Sequence, residues 1–319
     1  MAAPLLEVKH LKKYFNTPKG MLHAVDDVSF SIEKGRTMGV VGESGCGKST
    51  LGRTIIHLQD STDGQILFDG EDITHVDRKQ LSELRHKMQI IFQDPFSSLN
   101  PRMTVDDTIN EPIRRSGKYS KDEIARETTK LMELVGIDSR MRRAYPHELD
   151  GGRRQRVGIA RALAMNPRFI VCDEPVSALD VSIQAQILNL LQDLQEERHL
   201  TYMFITHDMS VVRHLSTDIA VMYLGQMVEI SPAKEIFLKT LHPYTKVLLS
   251  AIPSTDIDHP KQRILVKGEL VSPIEPKPGC RFYARCPYAT EECTKPQHLE
   301  EVLPKHYVAC CHARSLNGL

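Results

Sequence analysis

Gly42-Glu43-Ser44-Gly45-Cys46-Gly47-Lys48-Ser49-Thr50 follows the apolar run Met38 to Val41 and leads into Leu51 to Leu58. A short buried strand, a glycine-rich turn and a helix starting at Lys48 would aim several backbone N–H groups at one point, where the helix dipole also favours an anion. A polyphosphate fits that point. Lys48 can reach its β- and γ-phosphates as a point charge, and Ser49 can offer its hydroxyl to Mg²⁺. A plain strand-to-helix turn would use the same glycines, so the neighbouring motifs must decide between the two.

Working outward, 319 residues suffice for one large domain or two smaller ones with a sizeable core. Lys plus Arg equal Asp plus Glu at 41 each, so no global field draws in nucleic acid or an anionic membrane, and partners must be recognised locally. Met1 to Glu7 lacks a basic region followed by an apolar stretch, and no apolar run approaches a membrane span. The expectation is a chain that stays in the cytosol and docks on a membrane protein. Of seven cysteines, Cys46 and Cys172 stand alone, whereas Cys280, Cys286, Cys293, Cys310 and Cys311 crowd the end of the chain. In a reducing compartment such a cluster reads as a metal site rather than as disulfides.

Glu7 to Phe15 and Ala24 to Ile32 alternate like strands around Asn16-Thr17-Pro18-Lys19-Gly20, predicting an antiparallel flap on the nucleotide core. Tyr14 ends the first run, where its ring can stack on a purine; a half-buried strand aromatic is the plainer reading. Gly64 to Phe68 with Asp69-Gly70 is another hairpin. Lys87 to Phe92 reads as a buried strand ending at Gln93, a donor and acceptor suited to Mg²⁺ or an attacking water. From Thr104 to Val135 the apolar positions recur at helical spacing, with Gly136 as a stop; this predicts a helical insertion with Arg114-Arg115 and Arg142-Arg143 on solvated faces.

Leu149-Asp150-Gly151-Gly152-Arg153-Arg154-Gln155-Arg156 opens a helix to about Met165, and its glycines make a second anion-receptive end. One chain has little use for two such ends on one phosphate, so two chains are expected to share each nucleotide. Phe169 to Cys172 is an apolar strand delivering Asp173 and Glu174 to its C-terminal edge, where open α/β sheets bind ligands. Asp173 suits Mg²⁺ held through water, and Glu174 the water that attacks the γ-phosphorus. Ser177-Ala178-Leu179-Asp180 is a turn before the helix Ile183 to Glu197. Tyr202 to Ile205 is a buried strand ending in Thr206-His207-Asp208, where the His207 imidazole can bond the γ-phosphate and orient Glu174. Asp218 to Leu224 and Gln226 to Ile230 should close the sheet as a hairpin at Gly225.

In order and spacing these motifs resemble the nucleotide-binding subunit of ATP-binding cassette (ABC) transporters, from Leu5 to about Ile252. Asp94-Pro95-Phe96-Ser97-Ser98-Leu99-Asn100-Pro101, Val176 to Gln186 and His242-Pro243-Tyr244-Thr245 are similar to the oligopeptide, dipeptide and nickel importer ATPases, specifically their F-type subunit. The resemblance implies an α/β fold: a P-loop NTPase (RecA-like) ABC ATPase core with an antiparallel β subdomain, a helical subdomain at about 96–166 and a small C-terminal cysteine-rich metal-binding region. The nucleotide-binding domain would span 1–254 and the cysteine-rich domain 255–319.

The same resemblance implies a head-to-tail heterodimer with a D-type ATPase, docked on two integral membrane permeases at the cytoplasmic face of the membrane. A solute-binding protein outside serves it indirectly, and nucleic acid has no part. Each ATP would lie between one subunit's phosphate loop, Gly42, Ser44, Gly45, Cys46, Gly47, Lys48, Ser49 and Thr50, and the other's signature, here Asp150, Gly151, Gly152 and Arg153. Tyr14 stacks adenine, Ser49 and Gln93 hold Mg²⁺ with Asp173, Gln93 couples the site to the permease, Glu174 activates water, His207 senses the γ-phosphate and Asp180 touches the partner. Positioning and charge neutralisation are most of such phosphoryl transfer.

The family signature normally begins Leu-Ser-Gly-Gly-Gln, whereas Leu149-Asp150-Gly151-Gly152-Arg153 stands here. A carboxylate in place of the serine hydroxyl meets the γ-phosphate as like charge, about 4 kcal/mol at ~4 Å with an effective dielectric near 20. Arg153 and Arg154 are placed to neutralise it, and aspartate is a good helix cap. The expectation is one active and one weakened site.

Beyond Ser254 the prolines at 260, 273, 276 and 278 and the cysteines describe about sixty residues that can hardly build a core without a staple. Resemblance to the cysteine domain of the peptide importers implies a 4Fe-4S cluster on Cys280, Cys286, Cys293 and Cys310, with Cys311 left over and zinc as the alternative. Peptides are the expected cargo, nickel or another small solute the alternative. Two further readings, a soluble cassette ATPase acting on nucleic acid or ribosomes and a regulatory subunit with little turnover, fit the neutral charge and the Glu174–His207 pair less well.

Overall fold

The computed structural model describes residues 3–252, 263–266 and 273–319; the expected domain boundary at 254/255 lies outside the described residues. The chain forms two compact units, Met1–His75 with Phe204–Leu319 and Val76–Met203.

The first unit begins with β1 (Leu6–Thr17) and β2 (Gly20–Ile32), antiparallel from Leu6 opposite Ile32 to Thr17 opposite Gly20. This is the expected flap, longer at its tip by two residues in β1 and four in β2. The alternating apolar residues Leu6, Val8, Leu11, Val25, Val28 and Ile32 turn one face inward. Next come β3 (Thr37–Val41), wholly buried, and α1 (Lys48–Ile55). β4 (Asp63–Phe68) then pairs with β1 and with the short β5 (Glu71–Asp72).

In the second unit, α2 (Arg78–Lys87) starts from an Asp77–Gln80 capping box and runs into β6 (Met88–Ile91). A single turn, α3 (Pro95–Ser98), leads to the helices α4 (Val105–Arg115), α5 (Lys121–Leu134) and α6 (Gly151–Leu163). Val105, Ile109 and Ile113 form the buried stripe of α4, and Leu131 with Met132 that of α5; α6 packs against both helices and buries Val157, Ile159, Ala160 and Leu163. The insertion is helical as expected, but Arg142 is no solvated residue. Its Nε donates to Asp106 at 2.6 Å and its Nη1 to Thr129 at 3.0 Å, joining α4 to α5. The unit ends with β7 (Phe169–Asp173), parallel to β6 and fully buried, and α7 (Val181–Arg198), capped by Asp180.

β8 (Thr201–Thr206) returns the chain to the first unit, followed by α8 (Met209–Leu215), β9 (Asp218–Tyr223) and β10 (Gln226–Pro232). β9 runs parallel to β3 and antiparallel to β10. The hairpin at Gly225 does not close the sheet. After α9 (Ala233–Leu238) and α10 (Pro243–Ser250), the tail adds β11 (Glu300–Leu303) and β12 (His306–Val308), with β12 antiparallel to β10 and β11 outermost; α11 (Ala313–Leu316) follows.

This addition explains how so few residues find a core. Val302, Val308 and Ala313 close over Leu241, while Glu229 of β10, wholly buried, accepts from His306 Nε2 at 2.7 Å and from the backbone N–H of Leu241 and His242. A buried carboxylate is tolerated because its oxygens are so occupied.

Candidate functional site

The loop after β3 takes the shape its glycines allow. Gly47 caps α1 at φ 106°, and a Cβ there would lie 1.9 Å from the Ala24 carbonyl oxygen, so the position requires glycine. Ser44 and Gly45 are exposed, whereas Lys48 is buried with its ammonium folded back on the loop, donating to the carbonyl oxygens of Gly42 at 2.8 Å and Glu43 at 3.0 Å. The cation thus closes the loop into a ring, beside the N-terminal N–H groups of α1 that no intrahelical carbonyl satisfies. Burial pushes the Cys46 thiol up, with Lys48 opposing, so Cys46 is neutral packing under the loop.

Glu43, which the motif treats as a free position, is the most heavily tethered residue of the loop. Its N–H donates to the Tyr244 hydroxyl at 2.9 Å, and its carboxylate accepts from both terminal nitrogens of Arg285 at 2.8 and 3.1 Å. Arg285 also donates to the Tyr223 hydroxyl at 3.2 Å, and the Glu43 and Tyr223 oxygens hold its guanidinium well above the usual arginine range. Sequence reasoning missed this tether. The only signals were the His242-Pro243-Tyr244-Thr245 motif and an arginine beside Cys286.

Tyr14 is half-buried, its ring stacked on His23 with centroids 3.9 Å apart and its hydroxyl donating to Asp26, which also pairs with Arg281. A base would have to meet the face opposite His23. His207 follows β8 and is exposed.

In the second unit β7 places the fully buried Asp173 and then Glu174 at its C-terminal end, as expected. Glu174 sits at φ 46°, a left-handed conformation that costs a non-glycine residue ~1 kcal/mol and gathers at functional sites. Its Oε2 accepts from Gln93 Nε2 at 3.0 Å, so these two expected site residues meet directly. Asp180 caps α7, accepting from the Ile183 N–H at 3.1 Å.

Asp150 caps α6, accepting from the Arg153 N–H at 2.8 Å, and pairs with the Arg153 guanidinium at 3.3 Å. Arg154 does not neutralise it. That side chain turns to the Pro146 carbonyl oxygen at 2.6 Å and lies over the Phe96 ring.

Cys280, Cys286, Cys293, Cys310 and Cys311 line one pocket of the first unit, together with His242, Phe282 and His312. Cys311, the cysteine outside the expected four, lies close to one of them. Its Sγ lies 3.7 Å from that of Cys293, and ligand atoms of Cys293, Cys311 and His312 all lie within 4.8 Å of one another. Burial, then the charges of Cys310, Cys286 and Cys293, push the Cys280 thiol up to about 12; burial and Cys293 do the same to Cys311. Without a cation the Cys280 and Cys311 thiols keep their protons. Of the five cysteines, Cys293 and Cys311 lie together beside His312, and soft sulfur donors in one pocket are of the kind that could hold zinc or an iron–sulfur group, whose charge would draw the protons off.

A phosphate loop ahead of a helix, and in the other unit an Asp-Glu pair at the end of a buried parallel strand, define a nucleoside-triphosphatase of the phosphate-loop class. Residues 25–177 match the ABC transporter family, and residues 228–293 the oligopeptide/dipeptide transporter C-terminal region. The chain is 49% identical over 317 residues, 96% of each chain, to the oligopeptide transport ATP-binding protein AppF of Bacillus subtilis (strain 168). It is 53% identical over 292 residues, 88% of this chain and 95% of the relative, to OppF of the same organism. A dimeric ATP-binding cassette in a post-hydrolysis state with ADP and Pi superposes with TM-score 0.66 at 29% identity, covering 72% of this chain and 98% of that one. The chain belongs to the ABC transporter family, among the oligopeptide transport ATP-binding proteins, and is an ABC-type ATPase.

Proposed function

We propose that this chain powers the import of peptides. The Lys48 loop holds the β- and γ-phosphates of ATP, Tyr14 meets the adenine, and Ser49, Gln93 and Asp173 hold Mg²⁺, which supplies charge neutralisation on the phosphates. Glu174 takes the proton of the attacking water and His207 contacts the γ-phosphate. The observation that carries this reading is the Gln93–Glu174 hydrogen bond, because it fixes the carboxylate of a residue with a left-handed backbone at the end of the strand that also bears Asp173. The relatives' names supply the peptide cargo.

The chain acts as half of a heterodimer with a D-type ATPase, seated on two permeases at the cytoplasmic face of the membrane. In support, no helix among the described residues is long and apolar enough to cross a membrane. Phe96, in the stretch Asp94 to Pro101 that resembles the importer ATPases and directly follows Gln93, is 57% exposed on a turn whose Ser98 carbonyl Arg161 binds at 2.6 Å. An apolar ring held out on a braced turn suits a docking contact. The Asp150 site is the weaker of two. Asp150 remains largely exposed, so Arg153 offsets its charge only in part.

The cysteine pocket holds a metal group on Cys280, Cys286, Cys293 and Cys310, a 4Fe-4S cluster in preference to zinc. The group supplies a structural staple for the tail. Visible absorbance of thiolate-bound iron in anaerobically purified protein supports the cluster; colourless protein with one zinc per chain replaces it by the alternative.

Glu174→Gln in the assembled transporter tests the central reading. ATP binding should persist while turnover and peptide uptake fall away; near-normal turnover would refute the assignment.

A further inference from the structure

His242 belongs to a motif that the nucleotide site leaves unexplained. It is 1% exposed, and its Nδ1 accepts the Tyr244 N–H at 3.0 Å, which makes it the cap of α10. A nitrogen that accepts carries no proton, so the neutral ring bears its proton on Nε2. Nε2 makes no hydrogen bond to Glu229, whose Oε2 takes the His242 backbone N–H at 3.1 Å and whose Oε1 takes His306 and Leu241. Nε2 is a buried atom with no hydrogen-bond partner. Buried polar groups are almost always satisfied, so an orphaned donor marks a place where a partner belongs. The ring lines the same pocket as the five cysteines, with the Phe282 ring centroid 6.2 Å from its own.

We propose that His242 donates its Nε2 proton to the sulfur of an anionic metal–thiolate group held in the cysteine pocket, and so is a positioning residue for that group. This rests on the metal reading of the pocket. Four thiolates around a divalent ion or a cluster of equal charge leave a net negative charge inside an apolar wall, where a neutral donor supplies compensation without adding a second ion. Nε2 has no acceptor within hydrogen-bond reach, and the five cysteines make sulfur an acceptor chemistry that the lining of its pocket offers.

Two substitutions separate this role from helix capping. In His242→Asn the amide oxygen takes over the cap while nothing reaches the Nε2 position. In His242→Gln the amide nitrogen can occupy the Nε2 position while the cap is lost. Full-length wild type and both variants are purified anaerobically and reconstituted with ferrous iron and sulfide, or with zinc alone. Bound metal, loss of metal to a chelator and, for an iron–sulfur group, the visible spectrum and midpoint potential are then measured.

The expected result is about tenfold faster loss from His242→Asn, with a more negative midpoint because sulfur charge is less compensated, and near wild-type behaviour for His242→Gln. Wild-type metal retention by a folded His242→Asn protein overturns the proposal and leaves His242 a cap only; equal damage in both variants overturns it as well, by making the imidazole ring a packing element whatever its Nε2 contacts. A wild type that binds neither iron nor zinc overturns the metal reading itself and this inference with it.

Discussion

Replacing Arg285 by methionine keeps an aliphatic stem and removes the guanidinium that grips Glu43. The two side chains are 12% and 24% exposed, so the pair is mostly enclosed and the stranded carboxylate cannot recover full hydration. Breaking a buried pair from one side costs 3–5 kcal/mol, and the partial exposure of Glu43 places this one at about 3 kcal/mol. At ~2–4 °C per kcal/mol the thermal midpoint should fall by about 6–12 °C. The bare charge also stands in the phosphate loop, so ATP binding should weaken in the same variant. Adding Glu43→Gln removes the stranded charge and should return most of the loss, a coupling of ~2 kcal/mol. Thermal melts and nucleotide titrations of the four proteins in the cycle measure this. A single variant that melts within about 1 °C of wild type, or strict additivity in the double, would show that the tail does not restrain the loop.

Lys48→Ala loses a charged donor worth ~3 kcal/mol, which predicts about 100-fold weaker nucleotide binding by equilibrium titration. Asp150→Ser exchanges one good cap for another, so stability should hold within ~0.5 kcal/mol while ATP turnover of the assembled heterodimer rises; unchanged turnover would reduce Asp150 to its capping role. Burial holds the His57 imidazole below its ordinary range, against the pull of Asp60. The unfolded chain therefore binds the proton more readily, and this contribution to stability is full above the unfolded value near 6.5 and lost as pH falls below it. His57 sits at φ 56°, where asparagine is at ease, so His57→Asn should flatten the fall of the melting midpoint between pH 7 and pH 5.

Much of this architecture is written in short-range pattern. The phosphate loop, the strand that delivers Asp173 and Glu174, and the Gln93 strand end were legible because each couples a buried run to a polar terminus. Asp150 was legible both as a departure and as a cap. What sequence could not show were pairings between residues far apart in the chain. Arg285 meets Glu43 across 242 positions and Arg281 meets Asp26 across 255, and neither has a local signature. Arg142 misled for the same reason, since a basic pair on a helical insertion looks solvated until Asp106 is brought beside it. The nearness of Cys311 to Cys293 and His312 was likewise beyond the sequence, since the resemblance named four cysteines and carried no information on neighbours in space.

The outermost strand of the first unit also has a consequence for handling the protein. β10 would be a long, mostly apolar margin of unpaired backbone groups if β12 did not lie against it, and β11 in turn ends the array with four residues led by the exposed Glu300 and Glu301. Short length and two adjacent like charges make β11 a poor template for strands from other molecules. A chain cut before residue 300 trades this blunt margin for a sticky one, and self-association in light scattering, rather than loss of ATP binding, should be its first defect.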